Sequence, residues 1–279
     1  FSLQRISICY PYKENIYEVP FFYHINMKKS LENFVGQIAI AQINTTVGDL
    51  EGNTQKIIKY IRGAKELGAD VVTFPELTIT GYPAEDLWLK PNFIRENKKK
   101  LEEIVRETIG IAAIIGFVDT DEKGIYNSAA FVYDGKLLGV QYKSHLPNYG
   151  VFDEKRYFTA ATENHIFELN GIKFGINICE DIWVDNGPTK LQAEKGAEFI
   201  VNISASPFHA GKSKVRRELI ARRARENNVS ILYNNLVGGQ DSLVFDGRSH
   251  VFNSNGELIA ECKHFEEDFL LTTLRGKPM

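Results

Sequence analysis

Apolar positions along the chain fall into short runs separated by amphipathic stretches and turn signals. QIAIAQIN (37–44) reads as a buried strand, and TVGDLEGN follows as a loop. Asn53 or Thr54 is then expected to cap a helix burying Ile57, Ile58, Ile61 and Ala64 on one face, with Gly68 ending it. ADVVTFPE (69–76) is a second apolar strand with Glu76 at its C-terminal edge. A helix near 92–109 places Leu101, Ile104, Val105 and Thr108 on one stripe, and IAAIIGFV (111–118) returns to strand. Turn signals at Asp121–Gly124 and Asp134-Gly135 separate three strands, the last ending in KLLGVQYK. Asn170-Gly171 joins HIFEL to IKFGINIC as a hairpin, and GAEFIVNIS (196–204) repeats the pattern of GADVVTFPE after a short helix. KSKVRRELIARRAREN (212–227) is a helix, VSILYNN (229–235) a strand, and Asn255-Gly256 a last hairpin turn. Helices alternating with strands and hairpins predict an α/β fold with mixed sheets, helices outside and apolar strands within. No linker or composition shift interrupts 35–274, which reads as one domain.

The two ends do not share this patterning. Residues 1–26 show no clean period, and they lack the apolar centre and small-residue cleavage site of a signal peptide. The natural start is expected near Met27, with 1–34 an N-terminal extension that is extraneous or poorly ordered in part. The chain ends at LRGKPM without a closing element, which suggests truncation there.

Composition narrows the function classes. With 43% hydrophobic and 25% charged residues the chain has a soluble globular makeup, and a formal net charge of -3 gives no general attraction for nucleic acid. No apolar run approaches the roughly 18 residues of a membrane span. Cys9, Cys179 and Cys262 are scattered and odd in number, which favours a reducing compartment, the cytoplasm, over a disulfide framework. The histidines, His145 and His209 included, lack metal-ligand spacing, so no metal site is expected. Arg216, Arg217, Arg222, Arg223 and Arg225 crowd one helix, and without interleaved aromatics they read as a solvated face or a subunit contact.

Three polar residues stop three strands: Glu76, Lys143 and Cys179. Strand ends gather active sites in α/β folds because the sheet holds side chains rigidly while the loops leave room for a ligand. Singly each has a plain explanation, as a solvated carboxylate, a surface lysine and a small core residue. Together they suit one chemistry. A thiol, mostly protonated near neutral pH, gives its proton to a carboxylate that later returns it to a leaving amine. An ammonium and the backbone N–H after the cysteine stabilise the oxyanion. That set hydrolyses amides through a thioester without metal or cofactor.

FPELTITGYPAEDL (74–87), YKSHLPNYGVFDEKRYF (142–158), GINICEDIW (175–183) and NISASPFHAGK (202–212) resemble the nitrilase superfamily of carbon-nitrogen hydrolases. More narrowly, they are similar to the glutaminase domains of glutamine-dependent NAD synthetases, over about 37–262. The resemblance implies a four-layer αββα sandwich with Glu76 as general base, Lys143 as oxyanion stabiliser and Cys179 as nucleophile. It further implies L-glutamine as substrate, with Tyr149, Ser206 and Lys212 binding its amino-acid end. Glu154 would orient the lysine, Tyr82 and Phe152 would line the pocket, and Glu180 would supply the oxyanion N–H and assist binding. Ammonia would then serve an ATP- and magnesium-dependent amidation of deamido-NAD in a synthetase domain of the full-length chain, which is absent from these residues. Homo-oligomers are expected by analogy. A free-standing amidase or carbamoylase for another small amide, and a non-catalytic assembly remnant, stand as alternatives.

LVGGQDSLVFDG (236–247) looks like S-G-G-x-D-S, an ATP-binding phosphate loop. Val237 stands where that loop has Ser, and LVFDGRSHVFNSNGELIAE brings alternation and turns where the loop would open a helix. The stretch is therefore expected to be strand and turn, without a nucleotide role.

Overall fold

A computed structural model of the chain describes residues 36–274. The expected extension at 1–34, and Cys9 within it, lie outside the described residues.

Chain order gives β1 (Gly36–Gln42), α1 (Leu50–Glu66), β2 (Val71–Thr73), α2 (Pro91–Arg106), β3 (Ala112–Asp121), β4 (Gly124–Tyr133) and β5 (Lys136–Tyr142). Then follow β6 (Ile166–Leu169), β7 (Ile172–Ile178), α3 (Pro188–Glu194), β8 (Phe199–Ser204), α4 (Lys212–Asn227) and β9 (Ser230–Asn235). The last elements are β10 (Val237–Gln240), β11 (Leu243–Asp246), β12 (His250–Phe252), β13 (Leu258–Glu261) and β14 (Asp268–Leu274). One sheet has the order β14-β1-β2-β3-β4-β5 and the other β13-β12-β9-β8-β7-β6. The centres, β1-β2-β3 and β7-β8-β9, are parallel, and the flanks are antiparallel.

Strand side chains alternate between two buried faces, which is why the central strands read as continuous apolar runs. Ala39 and Ala41 of β1, with Ala113 and Ile115 of β3, meet Ile57, Ile61, Leu101 and Ile104 of α1 and α2. Ile40, Ala112 and Ile114 face the second sheet, where Ile176, Val201 and Ile203 answer them. On that sheet's outer face Ile200 and Ile231 meet Leu219, Ile220 and Ala224 of α4. The result is the expected four-layer αββα sandwich. Each fully buried Leu or Ile contributes about 1.5–3 kcal/mol.

Two expectations need correction. The cap of α1 is Asp49, whose carboxylate accepts from Gly52 N at 2.8 Å. Asn53 and Thr54 lie within the helix, past its cap, and are buried; Asn53 bonds the backbone of Thr46 and of Ile79. Gly68, at φ +74°, ends the helix as expected. The arginines of α4 are not one solvated face. Arg216 and Arg223 are buried, seven residues apart on the same face as Leu219 and Ile220, while Arg222 and Arg225 are exposed. Arg216 forms a bidentate pair with Asp246, and Arg223 donates to the carbonyls of Ile182 and Trp183 and to Asp185.

LVGGQDSLVFDG is strand and turn as expected, and its strands, Val237–Gln240 and Leu243–Asp246, pair as a two-stranded hairpin. Gly238, at φ +123°, lies so close to Asn44 that a Cβ would come within 2.2 Å of its Oδ1. Gln240 donates to Thr45 O at 2.9 Å and accepts from Val47 N at 3.2 Å, so the segment ties down the loop after β1. Among the described residues no helix is long and apolar enough to cross a membrane.

Candidate active site

The three strand-end residues converge at the C-terminal edges of the two sheets. Glu76 lies three residues beyond β2, in a loop that crosses β3 at Gly116. A Cβ on Gly116 would meet Leu77 N at 2.3 Å and Pro75 O at 2.5 Å, so the missing side chain lets the loop pass. Leu77 has φ +47°, and Thr78 donates its hydroxyl to Pro75 O, fixing the turn. Lys143 follows β5 directly, and its N–H donates to Asn127 O at 2.9 Å. Cys179 follows β7 at φ +45°, a left-handed conformation that L-residues other than Asn and Asp adopt rarely and that costs about 1–3 kcal/mol.

The polar groups are sealed from solvent. Lys143 and Glu76 side chains are fully buried, and Nζ lies 2.7 Å from Glu76 Oε1. Nζ also donates to Glu154 at 2.8 and 2.9 Å. Glu76 Oε1 accepts a second bond from Asn127 Nδ2 at 2.7 Å, and Oε2 accepts from Ala205 N at 2.8 Å. Tyr82 OH donates to Glu154 Oε1 at 3.0 Å.

Burial sets the resting charges. It pushes the Cys179 thiol well above its usual range, and the negative Glu76 adds to this while Lys143 opposes it. The thiol therefore rests protonated. Burial works against the Lys143 charge, but Glu154 and Glu76 hold that ammonium well above its ordinary value. Glu154 is raised to about 7 by burial, against the pull of Lys143 and with a further push from Glu76.

Asp181 braces the turn that carries Cys179. One carboxylate oxygen accepts from Ile178 N at 3.0 Å, and the other from Ser144 N at 3.1 Å and His145 N at 2.8 Å. It thus links the residue before Cys179 to the residue after Lys143. His145 Nδ1 also meets Asp181 at 3.1 Å, a structural contact. Asn202 donates to Asn177 Oδ1 at 2.7 Å and to Cys179 O at 3.4 Å.

The remaining site candidates surround this centre. Ser206 is buried next to Ala205, and its N–H donates to Asn235 Oδ1 at 2.9 Å. Lys212 begins α4 half-buried, its Nζ 5.9 Å from the Phe152 ring and 6.0 Å from the Trp183 ring. Burial lowers its pKa, while the acidic groups of Cys179 and Glu180 pull the other way. Tyr149 is 58% exposed and donates its hydroxyl to the Glu180 carboxylate at 2.9 and 3.0 Å. Phe152 meets the Tyr149 ring edge-on at 5.5 Å. Burial raises the Glu180 carboxyl. Tyr82 is 3% exposed and spends its hydroxyl on Glu154, so it backs the buried carboxylates. Among the described residues no three His, Cys, Asp or Glu side chains are grouped to hold a metal ion.

Sequence reasoning missed Asn127, Asp181, Asn177, Asn202 and the Ala205 N–H. The asparagines carried a usable signal. Each is an amide set among apolar strand residues (IYNSAAF, GINIC, IVNIS), and burying an amide is unfavourable unless it is bonded.

Comparison with known proteins gives a consistent set. The family model for carbon-nitrogen hydrolases matches residues 37–276. A glutamine-dependent NAD(+) synthetase of Thermotoga maritima is 45% identical over 241 residues, covering 85% of this chain and 42% of that protein. One from Aquifex aeolicus is 44% identical over 238 residues, again covering 85% and 42%. The chain thus spans well under half the length of these relatives. The structure of glutamine-dependent NAD+ synthetase from Acinetobacter baumannii in complex with ADP superposes with a TM-score of 0.82 at 41% identity, over 86% of this chain and 45% of that one. An amidase of the nitrilase superfamily from Nesterenkonia AN1 shares the fold, with a TM-score of 0.79 at 23% identity over 88% of this chain and 92% of that one.

Proposed function

The chain belongs to the carbon-nitrogen hydrolase family, and from that premise we propose that it hydrolyses the side-chain amide of L-glutamine through a thioester on Cys179. The observation that carries this reading is the buried Lys143 ammonium bonded to Glu76 and Glu154, within electrostatic reach of a protonated thiol on a left-handed turn.

Glu76 takes the thiol proton as Sγ attacks the amide carbon, a general-base contribution of about 10²–10⁴-fold. Negative charge moves to the amide oxygen, where the Lys143 ammonium and the Glu180 backbone N–H stabilise it. Glu76 returns the proton to the leaving nitrogen, and ammonia departs as the C–N bond breaks. Water, activated by the same carboxylate, then hydrolyses the thioester to glutamate. Nucleophile, base and cation are all side chains of this protein, so the reaction calls for no metal or cofactor.

The amino-acid end of glutamine suits the groups around the centre. Lys212 offers a cation to the α-carboxylate, Ser206 a hydroxyl, and Glu180 with Tyr149 an acidic and aromatic wall for the α-ammonium. We further propose that the ammonia serves an ATP- and magnesium-dependent amidation of deamido-NAD to NAD in a synthetase domain of the full-length protein. The names of relatives 40–45% identical to the chain support this. A thiol that must stay reduced suits the cytoplasm.

The test is glutamine hydrolysis by the purified chain, read as glutamate and ammonia, with Cys179→Ala as control. Loss of turnover in that variant is expected, and full retention would remove the mechanism. Faster hydrolysis of an amide without an α-carboxylate would move the reading to a small-amide amidase. Failure of a glutamine-like diazo ketone to label Cys179 would leave a scaffold role.

A further inference from the structure

Glu76 is crowded with donors, and their distribution over its two oxygens is unequal. A carboxylate has about four lone-pair sites, two on each oxygen. Lys143 Nζ and Asn127 Nδ2 both sit on Oε1, each at 2.7 Å. Ala205 N alone sits on Oε2, at 2.8 Å. Three sites are filled by the protein, and the fourth is on Oε2.

Asn127 holds this arrangement from two sides. Its backbone carbonyl accepts the Lys143 N–H at 2.9 Å, so the strand that carries Asn127 also fixes the start of Lys143. Its side-chain amide is fully buried, with Nδ2 on Glu76 and Oδ1 without a hydrogen-bond partner among the described residues. An unpaired buried carbonyl is unfavourable. An amide kept in such a place has its value in the N–H it donates.

We propose that Asn127 is a positioning residue that makes Oε2 the proton-accepting atom of Glu76, by filling with Lys143 both acceptor sites of Oε1. The inference rests on the thioester reading above and deepens it to the atom. In the first step the S–H bond of Cys179 breaks, its proton passes to Oε2, and the sulfur electron pair forms the C–S bond. In the second the oxyanion pair re-forms the C=O bond, the C–N bond breaks, and the nitrogen leaves as ammonia with the proton from the O–H bond at Oε2. The charged and titratable groups around Glu76 are Lys143 from the end of β5, Glu154 and Tyr82 from the flanking loops, and Cys179 from the turn after β7. Asn127 is a neutral side-chain donor to Glu76, so removing it changes the base without removing a charge.

The test is the rate of Cys179 alkylation by iodoacetamide against pH, followed by mass spectrometry of the Cys179 peptide, on the full chain and its Asn127→Leu, Asn127→Asp and Asn127→Ser variants. A hydrogen bond to the charged form lowers a carboxylate pKa, and a like charge raises it. The acid limb of the profile is therefore expected to rise by roughly one pH unit in the Leu variant and further in the Asp variant. The Ser variant, which keeps a donor, should lie between wild type and Leu. Asp preserves the volume of Asn, and thermal melts confirm that each variant is folded. A uniform fall in rate with the limb unmoved would overturn the proposal and leave Asn127 a packing residue. The Glu76→Gln variant separates the two levels of the reading. If wild type has no acid limb that Glu76→Gln abolishes, the assignment of Glu76 as base fails before the role of Asn127 is reached.

Discussion

Lys143 donates to Glu76 across 2.7 Å with both side chains sealed from solvent. The same ammonium lies 2.8 Å from Glu154. One cation therefore balances two buried carboxylates. Lys143→Met leaves them facing each other. Breaking a buried pair by removing one partner costs about 3–5 kcal/mol. The loss should be larger at about pH 8 than at about pH 6, because Glu154, raised to about 7 by burial, takes up its proton as pH falls and relieves the repulsion. Urea denaturation at the two pH values measures this. If Lys143 stabilises the oxyanion as proposed, the same substitution should also lower kcat for glutamine about 10²–10³-fold.

Glu154 makes a second pH prediction. Burial raises its pKa to about 7 from an ordinary 4.5. The folded state thus binds this proton more tightly than the unfolded state. Its contribution to stability is full below 4.5 and is lost as pH rises through about 7. Glu154→Gln removes the titration. The difference in unfolding free energy between wild type and the variant should change across that window and be flat on either side. A difference that is constant with pH would show that Glu154 does not bind its proton more tightly in the folded state.

The elements of the sandwich were legible because strands buried on both faces have no polar alternation to confuse the pattern, and because hairpins such as Asp134-Gly135 and Asn170-Gly171 use residues suited to positive φ. Glu76, Lys143 and Cys179 were legible because each interrupts an apolar run at its end. The side chains that support them were not. Asp181 accepts backbone N–H groups from segments 36 and 37 residues away, which no local period reveals. Asp49 outcompetes Asn53 as the helix cap because Asn53 is already committed to Thr46 and Ile79. Arg216 and Arg223 read as solvated because charge alone does not tell a surface from a core position; their partners, Asp246 and the carbonyls after Cys179, come from other elements.

The Arg216–Asp246 pair invites a double-mutant test. Both side chains are about 1% exposed, and the guanidinium lies over the Tyr233 ring at 5.4 Å. Arg216→Met or Asp246→Ala alone strands a buried charge, and each should cost about 3–5 kcal/mol. The double variant should lose clearly less than the sum, since no unpaired charge remains. Urea melts of the four proteins give the coupling. Additive losses would mean that the pair is solvated in the native state.

Gly116 tests whether the loop that carries Glu76 depends on a missing side chain. Its φ is not in the left-handed region, so alanine is acceptable to the local backbone. The obstacle is contact. The new methyl would lie 2.3 Å from Leu77 N, 2.5 Å from Pro75 O and 2.8 Å from Glu76 C, and all three are backbone atoms that cannot rotate away. The loop must shift, carrying Glu76 from its bonds to Asn127, Lys143 and Ala205. A displacement near 1 Å at a reacting group costs about 10²-fold in rate, and overpacking costs about 1–3 kcal/mol of stability. Gly116→Ala should therefore lower kcat for glutamine about 100-fold. Gly239→Ala serves as the comparison, because its methyl meets nothing nearer than Leu243 O at 3.7 Å. That variant should keep wild-type turnover. If Gly116→Ala kept it too, the loop would have room that these contacts deny, and the position of Glu76 would not depend on the glycine beneath it.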